Sequence, residues 1–403
     1  MLLRHIPFLK TVLLYAFTAF GGPQGHLGMM VKSFANKRHD VTEEEIAEYN
    51  AFSQMLPGPS STQTVMLIGY KRGGVPLAIL TLLLWVLPAT LIMSAFSFLI
   101  YYFDVKDIQT NMFKYVQPMS VGFIAFAAVR MMKTSVQHVA TWAIMTGSLI
   151  VTIAVPTPWV FPVLLLVAGT ISNFSNKRIP MKYEKPKPIK WMSLWIFFVV
   201  FILAGIFSQL SKAYNWEYGR FFNLFENFYR FGAFVFGGGQ ALLPMMLYQF
   251  VYRPKAIGDA PLISSENLLN GYGLVQAVPG PVFSICSFTG GMVMSSYGPV
   301  WQAIGCLVAT VAVFLPSTLL LLFLFPVYQH LKQHVIIFRA LEGINAAIVG
   351  IIWASGIVLF QAIPFEWTNV VVAVITFSIL MFTKIPSPYV VVGWLLLGLA
   401  MNV

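Results

Sequence analysis

The chain has 403 residues, 58% of them hydrophobic and only 10% charged, with a mean hydropathy of +0.77; soluble domains carry about a quarter charged residues. That balance excludes a soluble enzyme or binding module and predicts an all-α, polytopic membrane protein. The formal charge of +11 does not indicate nucleic acid, because Lys and Arg gather at the ends of apolar runs and in one linker, as cytoplasmic flanks do. Part of that charge also suits the attraction of an anionic solute.

The first stretch, "MLLRHIPFLKTVLLYAFTAFGG", puts basic residues before an apolar run, as a signal peptide does. No small-residue cleavage site follows, so it reads as a first membrane helix leading into the glycine segment "FGGPQGHLGMM" at 20–30. Next, "DVTEEEIAEYNAFSQM" (40–55) reads as an amphipathic interfacial helix with a capping box, Thr42 with Glu45. It runs into "PGPSSTQ" at 57–63, where helix breakers precede a row of hydroxyls. Apolar runs that suit membrane crossing, which takes about 20 helical residues, follow at 75–103 and 138–155.

The linker "SNKRIPMKYEKPKPIK" (175–190) holds six basic residues and three prolines, and one extra apolar run, 191–209, comes after it. The second part then repeats the first. "FGGGQALLPMM" (236–246) matches "FGGPQGHLGMM" at seven of eleven positions with an offset of 216. The Pro-Gly-Pro motifs recur at an offset of 222, "LPATL" (87–91) returns as "LPSTL" (315–319), and "VPTPWV" (155–160) as "IPSPYV" (385–390). Further apolar runs lie at 299–329 and 368–383. This divides the chain into a repeat at 1–174, a linker with an extra helix at 175–218, and a second repeat at 219–403.

If each repeat crosses the membrane an even number of times, the extra helix delivers the second repeat upside down, as in inverted-repeat transporters. Charge agrees: with 175–190 in the cytoplasm, Lys71, Arg72, Arg130, Lys133, Lys332, Arg339 and Lys384 fall inside, and the uncharged 293–298 falls outside. Counting 41–70 as a single crossing gives about thirteen crossings by length; were it a re-entrant loop, the count would fall and Arg4 and Lys10 would flip outside, which the positive-inside rule disfavours.

Backbone groups freed by a helix break cannot face lipid, so the broken segments must face protein, water or a ligand. Pro59 suits the first position of a new helix, and Ser60, Ser61, Thr62 and Gln63 fill its first turn behind Pro57 and Gly58. A helix start offers unpaired N–H groups and partial positive charge, which together bind anions. The second repeat offers Pro279, Gly280, Pro281 and Ser284, and the glycine segments add Gly21, Gly22 and Gln24 with Gly237, Gly238 and Gln240. Each motif alone also suits close helix packing; their duplication with hydroxyls and amides attached favours a substrate site near the midplane.

Other candidates are single residues. Glu226 and Arg230, four apart, are an intramembrane ionisable pair that either touches the pathway or neutralises itself on one helix face. His26 can titrate near neutral pH and couple a proton, or be a hydrogen-bonded structural group. Lys71 and Arg72 read as cytoplasmic anchors or as guides for an anion, and Glu44 and Glu266 as parts of lead-in helices or gates. His330 and His334 have the spacing of a metal pair without a third ligand, and Cys286 and Cys306 give neither disulfide framework nor metal spacing. No nucleotide-binding glycine loop is present and no ladder of buried carboxylates. No metal or cofactor is expected, and the energy must come from protons or the membrane potential.

The motifs "FGGPQGHLG", "LPGPSSTQ", "FGGGQALLP" and "VPGPVFS" together resemble those of the chromate ion transporter family in its long, two-domain form, and the resemblance spans essentially the whole chain. It implies an inner-membrane protein that expels chromate from the cytoplasm at the expense of the proton-motive force and so confers chromate resistance. It also implies oppositely oriented halves and sulfate as a competitor. The residues matching those motifs are Gly21, Gly22, Pro23, His26, Pro57, Gly58, Pro59, Ser61, Thr62, Gln63, Gly237, Gly238, Gly239, Pro279, Gly280 and Pro281. Two positions depart: the family often has an aromatic residue where Gln240 stands and Ala where Gly25 stands. The motifs therefore speak for an oxyanion transporter more than for chromate itself. A transporter of sulfate or another small anion, and a passive anion channel, stay open on the same scaffold, as does a homodimer. A membrane-embedded enzyme acting on lipid headgroups lacks an acidic metal cluster and a Ser-His-Asp grouping, so no enzyme is expected.

Overall fold

The computed structural model describes residues 2–20, 22–102, 112–155, 157, 160–173, 191–236, 238–256, 258–328 and 335–400. Gly21, Gly237, the linker 175–190, His330 and His334 lie outside the described residues, as do the side chains of Pro23, Gln24 and Gln240. Every described element is helical. The first repeat contains α1 (Ile6–Thr18), α2 (Gly22–Met30), α3 (Glu43–Gln54), α4 (Ser60–Tyr102), α5 (Val116–Ser135), α6 (Val139–Ala154) and α7 (Val160–Ser172). After the linker come α8 (Met192–Ala213), α9 (Gly219–Phe234), α10 (Leu242–Met246) and α11 (Arg253–Ala256). The chain ends with α12 (Ser265–Val275), α13 (Ile285–Met294), α14 (Pro299–Leu324), α15 (Val335–Ala362), α16 (Trp367–Phe382) and α17 (Ser387–Ala400). Four stretches are long and apolar enough to cross a membrane: α4, α8, α14 and Arg339–Ala362 within α15.

The repeat is written into the backbone. Gly22, Gly58 and Gly74 have φ of 69°, 107° and 66°, and their equivalents Gly238, Gly280 and Gly298 have 109°, 113° and 99°. Only glycine enters this region without steric cost, so these residues set the same breaks in both halves. The wide π turn Val31–Asn36 recurs as Leu247–Tyr252, and Pro88 inside α4 recurs as Pro316 inside α14.

Each half begins with two helical hairpins. Tyr15 donates to the His26 carbonyl at 3.0 Å, the Phe8 and Phe34 rings lie 5.8 Å apart, and Arg38 donates to the Pro7 carbonyl at 3.2 Å. The chain thus goes out along α1 and back along α2, turning at the glycine motif. In the second hairpin the Ser53 and Thr64 hydroxyls are 3.4 Å apart, and Lys71 Nζ sits 2.6 Å from Glu45 Oε1. The turn is at Pro57-Gly58-Pro59. The expectation that 41–70 runs straight through is therefore corrected: Glu45 and Lys71 are at the same end of the molecule. With 12 residues, α3 is about 18 Å long, well short of a hydrocarbon core of about 30 Å.

The second half repeats this. The Phe228 and Phe250 rings lie 5.5 Å apart, tilted, across the α9 hairpin, and a Cβ placed on Gly271 of α12 would lie 2.5 Å from the Phe288 ring of α13.

The hairpin tips bond across the halves in a reciprocal way. Gly58 N–H donates to the Val235 carbonyl at 2.6 Å, and Gly280 N–H donates to the Ala19 carbonyl at 2.9 Å. These are equivalent pairs with donor and acceptor halves exchanged. Likewise, a Cβ on Gly58 would meet Ser317 Cβ at 2.5 Å, and one on Gly280 would meet Ala89 Cβ at 2.9 Å. The duplicated Leu-Pro-Ala/Ser-Thr-Leu motifs are thus seats for the opposite half's Pro-Gly-Pro turns. Further out, Gly122 of α5 accepts Thr376 of α16, and Gly350 of α15 accepts Ser148 of α6. Such self-complementary exchange is the property of a two-fold interface, here within one chain.

Candidate functional site

Where the tips meet there is a cavity of about 380 Å³, within the range of small-ligand sites, about 300–1,000 Å³. Its inner end is formed by Gly22 at the start of α2, by Gly58 and Ser60 at the start of α4, and by Val282 at the start of the turn leading into α13. By helix geometry the first N–H groups of each start have no intrahelical partner. Equivalent residues of the two halves both line it, Ser60 with Val282 and Gln54 with Gln276. The inner end therefore straddles the pseudo-two-fold relation between the halves.

Outward, the wall carries Phe123, Phe126, Tyr272 and Asn345, and the mouth carries Arg130, Thr134, Thr383 and Lys384. No Asp or Glu is among the described lining residues. The Arg130 guanidinium lies 5.6 Å over the Phe126 ring, and among the described residues neither Arg130 nor Lys384 has a carboxylate partner. Gln276 Nε2 is buried without a hydrogen-bond partner among the described residues. An unmet buried donor costs about 1–3 kcal/mol, which a bound anion would recover. The chemistry offered is cationic at the mouth and donor-rich inside.

Of the sequence candidates, Gly22, Gly58 and Ser60 line this cavity. The other motif side chains hold the tips together instead. Ser61 Oγ is 3.1 Å from His26 Nδ1, Trp85 Nε1 donates to Thr62 at 2.9 Å, and Gln63 Nε2 donates to the Pro57 carbonyl at 2.7 Å. The Pro59 carbonyl accepts from Gln63 N–H. His26 is buried and meets Trp85 edge-on at 5.3 Å, so it ties the glycine motif to the Pro-Gly-Pro motif. In the second half, Gly238 and Gly280 are buried turn residues, and Pro279 and Pro281 flank Gly280 at the second tip. Ser284 Oγ is buried with no described partner: it is the equivalent of Thr62, but Val313 stands where Trp85 would donate.

Arg230 lies outside the described cavity lining, held by Glu226 at 2.8 Å, Asn227 at 2.6 Å and Gln249 at 3.3 Å. Lys71 pairs with Glu45 and Arg72 with Asp40, which also binds Arg38 at 2.8 Å. These pairs sit at the hairpin bases, away from the cavity lining. No cluster of metal-binding side chains occurs among the described residues.

Sequence reasoning missed Gln54, Gln276, Asn345, Arg130 and Lys384. The glutamines carried a signal, since each stands three residues before a Pro-Gly-Pro turn. In the sequence Arg130 and Lys384 are indistinguishable from cytoplasmic flanks.

A second void shares one wall with the first by equivalence between the halves. It is lined by Ala354, Ser355, Val358 and Leu359, which match Phe126, Ala127, Arg130 and Met131, and by Thr152, which matches Leu380. Its volume is only about 10 Å³. Tyr248 and Tyr252, 5.7 Å apart, help to fill this side.

A family model for chromate transporters matches residues 6–172 and 222–399, one block per half. The chain is 26% identical over 384 residues to a chromate transport protein of Cupriavidus metallidurans, covering 94% of this chain and 89% of that one. It is 24% identical to an uncharacterized transporter of Methanocaldococcus jannaschii, covering 94% and 90%, and 23% identical to a chromate transport protein of Pseudomonas aeruginosa, covering 86% and 79%. No solved structure matches. With both halves matched and the paired motifs meeting in one helical membrane scaffold, the chain belongs to the chromate transporter family.

Proposed function

We propose that this protein is a secondary exporter of a tetrahedral divalent oxyanion, chromate, across the cytoplasmic membrane. One observation carries the reading: a cavity free of described carboxylates, with Arg130 and Lys384 at its mouth, ends on the helix starts of both halves. Helix starts and backbone turns are where anions bind in such scaffolds. The relatives named chromate transport proteins supply the substrate. Transport rather than catalysis is the function of that family.

The halves are oppositely oriented in this reading. Its support is the run of contacts along α4: Ala89 meets Gly280 at the tip level, and Ser97 meets Gly291 toward the base of the α12–α13 hairpin. The first half's hairpin bases lie instead at the other end of α4, beside Lys71. With four re-entrant hairpins, nine crossings remain: the 75–102 arm of α4, α5, α6, α7, α8, α14, α15, α16 and α17. Two hairpins in succession return the chain to its starting side, so Arg4 and Lys10 stay cytoplasmic with Lys71, Arg130 and Lys384, as the positive-inside rule requires. The cavity then opens to the cytoplasm. The closed equivalent on the far side favours alternating access over a continuous channel.

The test is uptake of labelled chromate into inside-out vesicles, with and without a collapsed proton-motive force and with excess sulfate. Energy-dependent uptake that sulfate blunts is expected. Flux that merely follows the electrochemical gradient would replace the exporter with a channel, and sulfate uptake without chromate uptake would reassign the substrate.

A further inference from the structure

We infer that Arg130, backed by Lys384 at the mouth and by the unpaired Gln276 amide inside, is an anion-capture site confined to one of two equivalent vestibules, and that this asymmetry makes loading one-sided. The inference rests on the transport reading above and adds to it a residue and a direction.

The reciprocal contacts of Gly122 with Thr376 and of Gly350 with Ser148 fix the register that aligns α5 with α15, in which Arg130 corresponds to Val358. The loop that carries Lys384, "TKIPS" at 383–387, corresponds to "IAVPT" at 153–157, which has no basic residue. One vestibule thus presents two cations and the other presents none at the matching places. The space beside Arg130 is open at about 380 Å³, and the void beside Val358 is only about 10 Å³.

A charged cleft walled by apolar rings concentrates counter-ions and accelerates their entry. Arg130 sits in such a cleft, against Phe126, and its planar fork matches an oxyanion in two hydrogen bonds. Nothing described neutralises it. From the mouth, a dianion passes Lys384 and Arg130 and reaches the Gln276 donor and the start of α4 at Ser60. When the equivalent vestibule opens instead, the anion faces Val358 and leaves without a cation to hold it. A ligand held by one state and not by the other is what biases a two-state carrier.

Two readouts test this. First, a single cysteine is placed at Ser60, and separately at Gln54, as a reporter inside the cavity, and labelling by anionic and cationic thiosulfonates is compared from each membrane side. The chain's own Cys286 and Cys306 are buried. Anionic reagent from the Arg130 side is expected to react faster, with Arg130→Gln lowering the anion-to-cation rate ratio about tenfold, Arg130→Lys keeping most of it, and Lys384→Gln lowering it less. Second, in proteoliposomes, Arg130→Gln is expected to raise the chromate KM about tenfold for entry from that side and to leave entry from the opposite side within about twofold.

Labelling and KM indifferent to Arg130, in protein that transports normally, would overturn the inference. An equal rise of KM from both sides would overturn the one-sided loading. Labelling that depends on Arg130 in a protein that moves neither chromate nor sulfate would instead sink the proposed function and leave the anion site standing.

Discussion

The two halves share a backbone and differ in what they hang on it. At the Pro-Gly-Pro tips the first half has Ser60, Ser61, Thr62 and Gln63, where the second has Val282, Phe283, Ser284 and Ile285. In the first half, His26 bonds Ser61 and Trp85 bonds Thr62; in the second, the equivalents Leu242 and Phe283 are buried apolar residues and Val313 offers no donor. One tip is a polar network in which Gln63 Oε1 is the one buried side-chain atom without a described partner, and the other is an apolar plug with one unpaired hydroxyl, Ser284. The difference teaches that duplication preserved the glycine turns, which fix geometry, and freed the side chains to specialise.

Breaking the shared part has the largest expected effect. Gly58→Ala meets a positive φ of 107° and a Ser317 Cβ at 2.5 Å, so it is expected to cost about 2–3 kcal/mol, as strained backbone positions do. Gly280→Ala has the same φ problem but faces Ala89 at the looser 2.9 Å and should cost less. Thermal unfolding of both in detergent ranks them, and Ser317→Gly should partly rescue Gly58→Ala. Equal losses without rescue would mean that the cross-half contact is unimportant.

The polar network gives the next effect. His26→Leu makes the first half resemble the second but strands the Ser61 hydroxyl, at an expected cost of about 1–2 kcal/mol. His26→Leu with Ser61→Ala should recover most of it, because removing both partners leaves no unmet group. A double variant no better than the single one would break the network account.

Gln54 and Gln276 sharpen the comparison at the cavity itself. Gln276→Leu removes a buried donor that has no described partner, so stability should hold or rise while anion affinity falls about tenfold. Gln54, the exposed member of the pair, should matter less when changed to Leu. Loss of stability without loss of affinity would make Gln276 a structural residue. Smallest of all is Lys71→Gln: its pair with Glu45 is about a third exposed on both sides, and such pairs contribute about 0–1 kcal/mol. Unfolding should shift little and transport should persist.

Much of the fold was legible because its signals are local. The glycine and proline breaks, the capping box of Thr42 with Glu45, which forms as expected, and the extra helix 191–209, found as Met192–Ala213, all depend on nearby residues. The hairpins were not legible. A run such as 41–70 passes for one crossing only because the charge pattern of the flanking loops needs one there, and its reversal at Gly58 shows only when Glu45 and Lys71 are seen to touch. For the cavity, sequence singled out Gly22, Gly58 and Ser60, yet it also offered Ser61, Thr62 and Gln63, because hydroxyl content cannot say which way a helix face turns.

By itself, then, the sequence determined a membrane-embedded, all-helical chain, its internal repeat and the places where the helices break, since composition, motif spacing and positive-φ glycines act over a few residues. Only the tertiary structure decided that the breaks are tips of hairpins that exchange hydrogen bonds across the halves. It alone brought Arg130 and Gln276, 146 positions apart in the chain, to the same cavity, and it alone showed the space beside Arg130 open and that beside Val358 nearly filled. Those properties arise from packing between segments distant in sequence, and no local pattern encodes which buried donor is left without a partner.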